Sequence, residues 1–117
     1  MGNQVSWFEV TGKDGAKLQQ FYGDLFEWKI DAGNPMSYGM VEGGEGGIGG
    51  GIGRSQDGSK QVTFYVSVDE LQPYLDRAEQ LGGRTVVPIT EIPNMVTFAQ
   101  IADPEGNVVG IVKNQSP

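Results

Sequence analysis

The opening strand of this chain is written twice, and that repeat narrows the possible folds more than any other feature. Val5-Ser6-Trp7-Phe8-Glu9-Val10 returns 56 residues later as Gln61-Val62-Thr63-Phe64-Tyr65-Val66. A helical pattern follows each copy. After Asp14, Leu18, Phe21, Tyr22 and Leu25 fall at i, i+3, i+4 and i+7, the spacing of one buried helical face. After Asp69, Leu71, Leu75, Ala78 and Leu81 make the counterpart stripe, with Pro73 tolerable in the first turn and Gly82-Gly83 as the stop. The offset of 56 continues through Leu25 to Leu81 and Ile30 to Val86. An offset of 60 then sets Tyr38 on Phe98, Gly46 on Gly106, Ile48 on Val108 and Gly50 on Gly110.

Each half therefore reads as strand, helix and three more strands. The fold class is α+β, with two tandem βαβββ modules. Strands are expected near 5–10, 27–31, 37–42 and 48–53, then 61–68, 84–88, 96–102 and 107–112, with helices near 14–25 and 69–81. Pro35, Asp57-Gly58, Pro93-Asn94 and Asp103-Pro104-Glu105-Gly106-Asn107 supply turn chemistry between them. Module one spans about 4–53, a link runs over 54–60, and module two covers about 61–113, so the expectation is a single domain over residues 1–117. One helix cannot cover both faces of a four-stranded sheet, so the halves, or halves of two chains, are expected to pack together.

Composition excludes several functions. The chain has no cysteine, which removes disulfide and thiolate chemistry, and no histidine, the commonest metal ligand and near-neutral base. Eight scattered basic residues against fifteen acidic ones give a net charge of −7, which would repel a phosphate backbone, so no nucleic-acid partner is expected. No apolar run reaches 18 residues, and Met1-Gly2-Asn3-Gln4 opens no signal segment. These features predict a cytoplasmic protein with no membrane partner.

The segment from Phe8-Glu9-Val10 through Phe21-Tyr22-Gly23-Asp24-Leu25-Phe26-Glu27-Trp28, followed by Val66-Ser67-Val68-Asp69-Glu70-Leu71 and Ala102-Asp103-Pro104-Glu105-Gly106-Asn107, resembles the vicinal oxygen chelate superfamily. That group includes glyoxalase I, the bleomycin-resistance proteins and the extradiol dioxygenases. The resemblance implies paired modules curled into a cupped mixed sheet. In the family's enzymes a divalent metal is held by a His or Gln on the first strand of a module and a Glu or His on the last. Those positions carry over to Trp7 and Thr63, and to Gly50 and Gly110. None is a competent ligand, because Trp offers only an N–H, Gly has no side chain, and a lone Thr hydroxyl suits transition metals poorly. No metal and no cofactor are therefore expected.

If Trp7 points into the cup, alternation puts Val5 and Glu9 beside it and turns Phe8 and Val10 toward the helix. Thr63, Tyr65 and Ser67 should face the cup from the fifth strand. Ile48, Gly50 and Ile52 should do so from one closing strand, and Val108, Gly110 and Val112 from the other. The candidate ligand-binding set is thus Trp7, Glu9, Ile48, Gly50, Thr63, Tyr65, Val108 and Gly110. Glu9 and Tyr65 occupy matched repeat positions and are the candidate catalytic acid or base, or else a buried structural hydrogen bond. Trp7 either stacks on a ligand or plugs the cup as core. Phe21-Tyr22 and Phe26-Trp28 read as core and sheet residues. Gly44-Glu45-Gly46-Gly47-Ile48-Gly49 satisfies GxGxxG formally, but no amphipathic helix follows it, so it reads as a hairpin leading into a glycine-rich strand.

Three functional classes remain. A metal-independent protein of the bleomycin-resistance type would bind or sequester a small, partly aromatic molecule. A lyase, isomerase or dioxygenase-type enzyme would use Glu9 and Tyr65 or an unrecognised metal site. An interaction module would have its cup plugged by Trp7. Resemblance to single-domain relatives implies a homodimer and a role in antibiotic resistance.

Overall fold

Asp14 decides where the first helix starts. Its extended backbone (φ −121°) leaves Oδ1 free to accept the Lys17 N–H at 3.1 Å, which satisfies one of the donors a helix leaves open at its start. Strand β1 (Val5–Gly12) therefore passes into helix α1 (Gly15–Phe26), which ends at Glu27 in the left-handed region with φ 57°. The computed structural model describes residues 2–114. Strands β2 (Ile30–Asp31), β3 (Gly39–Val41), β4 (Gly49–Arg54) and β5 (Gln61–Val68) follow. Helix α2 (Leu71–Gln80) and strands β6 (Arg84–Ile92), β7 (Val96–Ala102) and β8 (Val108–Lys113) complete the α+β order foreseen from the repeat. No helix among the described residues is long and apolar enough to cross a membrane.

These elements form two units, residues 7–63 and residues 2–6 with 64–114. In the 7–63 unit the strands run β2-β3-β4-β1. β1 and β4 are parallel, as a crossover helix requires, while β3 is antiparallel to both β2 and β4. The register sets Trp7 opposite Gly49, Phe8 opposite Gly50, Glu9 opposite Gly51 and Val10 opposite Ile52.

Helix α1 lies on the Phe8 face. Tyr22 stacks on Trp28 with centroids 6.1 Å apart, and Trp28 sits 5.4 Å from Phe8. The stripe expected to be buried is only partly so, because Phe21 and Leu25 are 56% and 57% exposed, and Phe26 is also exposed. The inward line of the helix runs instead through Gly15, Gln19 and Tyr22, with Phe21 and Leu25 rotated to its flank. Gly15 lets the helix sit almost against the backbone of Gly53 and Arg54, and Gln19 donates to Ile52 O at 2.7 Å and to Ser37 O at 3.0 Å.

In the other unit the strands run β5-β8-β7-β6, again with the outer connections antiparallel and β5 parallel to β8. Here the expected stripe does most of what was expected. Leu71 and Leu75 are buried with Val68, Ala99 and Ile111, and Val66 and Ile101 pack against that cluster. Leu81 falls past the helix end and is exposed. Gly82 takes φ 100°, and the Gly83 N–H returns to Ala78 O at 2.8 Å, so the Gly-Gly pair stops the helix. The helix begins two residues later than expected, because Asp69 accepts from Asn114 Nδ2 instead of entering the first turn. Residues at the start of the chain belong to this unit. Ser67 N–H donates to Gln4 O at 2.9 Å, Asn3 Nδ2 to Ser67 O, and the Ser67 hydroxyl to Ser6 Oγ at 2.8 Å.

Two outcomes are expected. Gly15→Ala improves helix propensity by at most about 1 kcal/mol, yet a Cβ there would stand 2.7 Å from Arg54 N and 2.8 Å from the Gly53 carbonyl carbon. Overpacking against backbone outweighs the gain, so chemical denaturation should show a net loss of about 1–2 kcal/mol. The Asp103 carboxylate accepts from Asn107 Nδ2, Asn107 N–H and Glu105 N–H, each at 2.9 Å. The Asn107 side-chain bond is the largest cause holding its pKa below the ordinary value, and the Asn107 backbone bond adds to it. A depressed carboxyl favours the folded turn fully above the ordinary range near about 4. That contribution fades as pH falls through the lower folded-state value. Carboxyl NMR titration should place the Asp103 midpoint below that range, and Asn107→Ala should raise it.

Candidate functional site

The face of the 7–63 unit turned away from α1 carries Trp7 and Glu9, and its centre is a phenol that alternation on β1 could not reveal. Tyr38 precedes β3 and lays its ring across the Gly51 and Gly53 positions of β4. Trp7 Nε1 donates to Tyr38 Oη at 3.2 Å, and Tyr38 Oη donates to Glu9 Oε2 at 2.8 Å. The direction of this chain follows from its members. An indole N–H can only donate and an ionised carboxylate can only accept, so the phenol proton turns toward Glu9. All three side chains are partly buried.

Tyr38 is fixed by its own loop. Asn34 Oδ1 accepts from the Tyr38 N–H at 3.0 Å, and Asn34 Nδ2 donates to Tyr38 O at 2.7 Å, so one amide grips both backbone groups. The loop reverses at Ser37, a non-glycine residue at φ 53°, and Gln19 from α1 holds the Ser37 carbonyl. Signals for this arrangement were present in the sequence as Asn34, Pro35 and Ser37, turn-forming residues just before an aromatic. They mark a turn but do not give the direction of the ring that follows it.

The closing strand of the first module needs correction. Gly50 pairs with Phe8 and a Cβ on it would overlap the Phe8 ring, so Gly50 faces α1 and not Trp7. Ile52 is on the same side and has no exposed surface. Ile48 precedes β4 and is 43% exposed. The residues sharing the Trp7 face are Gly49, Gly51 and Gly53. The cause is a one-residue difference in hairpin length. Glu9 pairs with Gly51 and Tyr65 with Gly110, so the step between closing strands is 59 residues where 60 was expected. A shift of one residue turns every side chain of a strand to its other face.

The second module keeps its expected orientation. Gly110 pairs with Tyr65, whose ring covers it, while Val66 and Ile111 turn to the α2 core. Tyr65 is buried and its hydroxyl accepts from Gln100 Nε2 at 2.8 Å, with Phe98 edge-on at 6.1 Å. Val108 pairs with Ala102 at the start of β8 and is half-buried. Thr63 is buried at the end of the 7–63 unit. Gln100 and Tyr38 are thus the polar site residues that sequence reasoning missed.

The donor set does not fit a divalent metal at the positions the resemblance implies. On the first strand Trp7 directs a proton outward from its only nitrogen, and on β4 Gly50 lies under the Phe8 ring while Gly51, which shares the Trp7 face, is covered by the Tyr38 ring. In the second module the Tyr65 ring covers Gly110. No group of three or more His, Cys, Asp or Glu side chains converges among the described residues. Two grooves on the 7–63 unit lie around the start of α1, and their lining does not include Trp7, Glu9 or Tyr38.

Comparison with known proteins places this architecture. The model of the glyoxalase-like domain family matches residues 7–112. A glyoxalase/bleomycin resistance protein/dioxygenase superfamily member from Vibrio splendidus is 15% identical with a TM-score of 0.64, covering 97% of this chain and 100% of its own. A hypothetical protein from Bacillus halodurans is 10% identical with a TM-score of 0.72, covering 100% of this chain and 98% of its own. Methylmalonyl-CoA epimerase from Mycobacterium tuberculosis is 12% identical with a TM-score of 0.66, covering 97% and 88%. No curated protein sequence matches significantly.

Tyr38→Phe removes the link between indole and carboxylate. The expected cost is about 1–2 kcal/mol of stability, with a shift of the Trp7 indole N–H resonance in a ¹H–¹⁵N spectrum. Gly51→Ala should also shift that resonance while leaving the tyrosine chemically intact, because its Cβ would expel the ring.

Proposed function

The chain belongs to the glyoxalase-like domain family, and within it we propose a metal-independent binding protein that captures or sequesters a small, partly aromatic molecule. The observation that carries this reading is the Trp7–Tyr38–Glu9 chain, in which Trp7 occupies a position where the resemblance implies a metal ligand. An indole offers a stacking surface, and a carboxylate already oriented by a phenol offers an acceptor for a ligand N–H or cationic group. Tyr65, Gln100 and Phe98 form a second aromatic and amide group in the other unit. Fold alone does not choose between binding and catalysis in such a family. A cytoplasmic homodimer is the form in which we expect the protein to act.

A second reading is favoured by one contact. The phenol proton aimed at Glu9 at 2.8 Å makes a pair through which a proton could pass, the step that an isomerase or lyase requires. Under that reading Glu9 is the acid or base, Tyr38 its immediate partner, and Tyr65 the further candidate named from the repeat.

Titration calorimetry against aromatic amines and phenols, run with excess chelator and again with added divalent ions, tests the first reading. Binding should persist in chelator. Trp7→Ala should weaken it about tenfold or more, the order of a lost stacking partner. Strict dependence on a divalent ion would reject it. Turnover of any panel member that disappears in Glu9→Gln, with folding intact by circular dichroism, would favour the enzyme instead.

A further inference from the structure

A groove of about 630 Å³ opens on the 7–63 unit between the end of β1, the outer flank of α1 and the first residues of β5, and its lining does not include Trp7, Glu9 or Tyr38. Its floor is made by Leu18, Phe21 and Val62, and the last two are 56% and 77% exposed. Large apolar side chains left this open on a chain with a core of its own call for a covering molecule. The rim carries Lys13, Lys17 and Lys60, three of the eight basic residues in a protein of net charge −7. None of the three is ion-paired among the described residues, where the one salt bridge is Lys113 with Glu70 at 3.6 Å. Asp14, the acidic residue on the wall, has Oδ1 committed to the Lys17 N–H. An apolar floor beneath a local excess of positive charge complements a molecule with an apolar body and an anionic head.

The geometry points to this groove as a binding site for a small amphipathic anion, such as a medium-chain carboxylate. It takes the apolar chain along Leu18, Phe21 and Val62 and the head group among the three lysines. The inference is independent of the aromatic-ligand reading, since none of the residues is shared. A bilayer surface is a poor source for the same chemistry, because a protein of net charge −7 is repelled by an anionic membrane as a whole. A free monomeric anion meets only the local field of the lysines.

Decanoate below its micellar concentration is the probe, with decanol as its uncharged counterpart and calorimetry and ¹H–¹⁵N spectra as readouts. Decanoate should bind with shifts centred on Leu18, Phe21 and Val62, at least tenfold more tightly than decanol, and more weakly as salt is raised. Lys17→Glu with Lys60→Glu, both exposed and outside the packed core, should lower decanoate affinity about tenfold or more. Val62→Asp should abolish binding without unfolding the protein. Equal binding of decanol, undiminished binding by the double variant, or shifts confined to Trp7, Glu9 and Tyr38 would overturn the proposal. So would association with phosphatidylglycerol vesicles in place of the free acid. Sedimentation as a dimer that Val62→Asp converts to a monomer would also overturn it, by assigning the groove to a second copy of the chain.

Discussion

The structure of the first module rests on a strand that has almost no side chains. β4 reads Gly-Gly-Gly-Ile-Gly-Arg, and two aromatic neighbours, Phe8 and Tyr38, use the space its missing Cβ atoms leave. The Phe8 ring covers Gly50 on one face, the Tyr38 ring covers Gly51 on the other, and the backbone at Gly53 accepts the close approach of Gly15 on α1. Glycine raises the entropic cost of forming the strand. That cost is offset here by aromatic surface packed on both sides. The Trp7–Tyr38–Glu9 chain exists only because Tyr38 can lie flat on β4. The candidate site is therefore a consequence of the same substitution pattern that removes a side-chain ligand from that strand.

The two modules answer the same backbone problem in different ways. In each, a phenol covers a glycine of the closing strand, but Tyr65 comes from the neighbouring parallel strand while Tyr38 arrives from the loop before β3. Tyr65 is held by Gln100 and Phe98 within its own module. Tyr38 is held by Asn34 along its backbone and by Trp7 and Glu9 at its hydroxyl. The duplication survives in the strand and helix order, whereas the polar groups over the glycines have diverged. Divergence at the face that would meet a ligand, over a retained scaffold, is what a family with many chemistries on one fold leads one to expect.

The helices show where periodicity is a sufficient guide and where it is not. On α2 the apolar stripe and the inward face coincide, so Leu71 and Leu75 are core as their spacing implies. On α1 the inward line is set by the two places where the helix touches backbone, Gly15 and Gln19, and this rotates Phe21 and Leu25 toward solvent. A glycine and a glutamine score poorly as core in any hydrophobic pattern. They win here because close approach and a hydrogen bond to a buried carbonyl fix the helix more firmly than apolar side chains on its flank.

The order of elements and the α+β class are legible in the amino-acid sequence, because they follow from a repeat and from period-two and period-3.6 patterns that are local properties of the chain. The family is legible too, through the resemblance of segments such as Ala102-Asp103-Pro104-Glu105-Gly106-Asn107. It is also legible there that Trp7 and Glu9 share a face and that Gly110 lies on the Tyr65 side, because alternation within a strand needs no knowledge of its neighbour. Strand pairing and long-range packing were needed to show that Gly51, and not Gly50, belongs beside Trp7, and that Tyr38 completes the group. Register is the cause. The β3–β4 connection is one residue longer than its β7–β8 counterpart, pairing Met40 with Gly51 where Gln100 pairs with Gly110, and this inverts β4. A ring carried by a loop is aimed by contacts distant in sequence, and no local pattern records either effect.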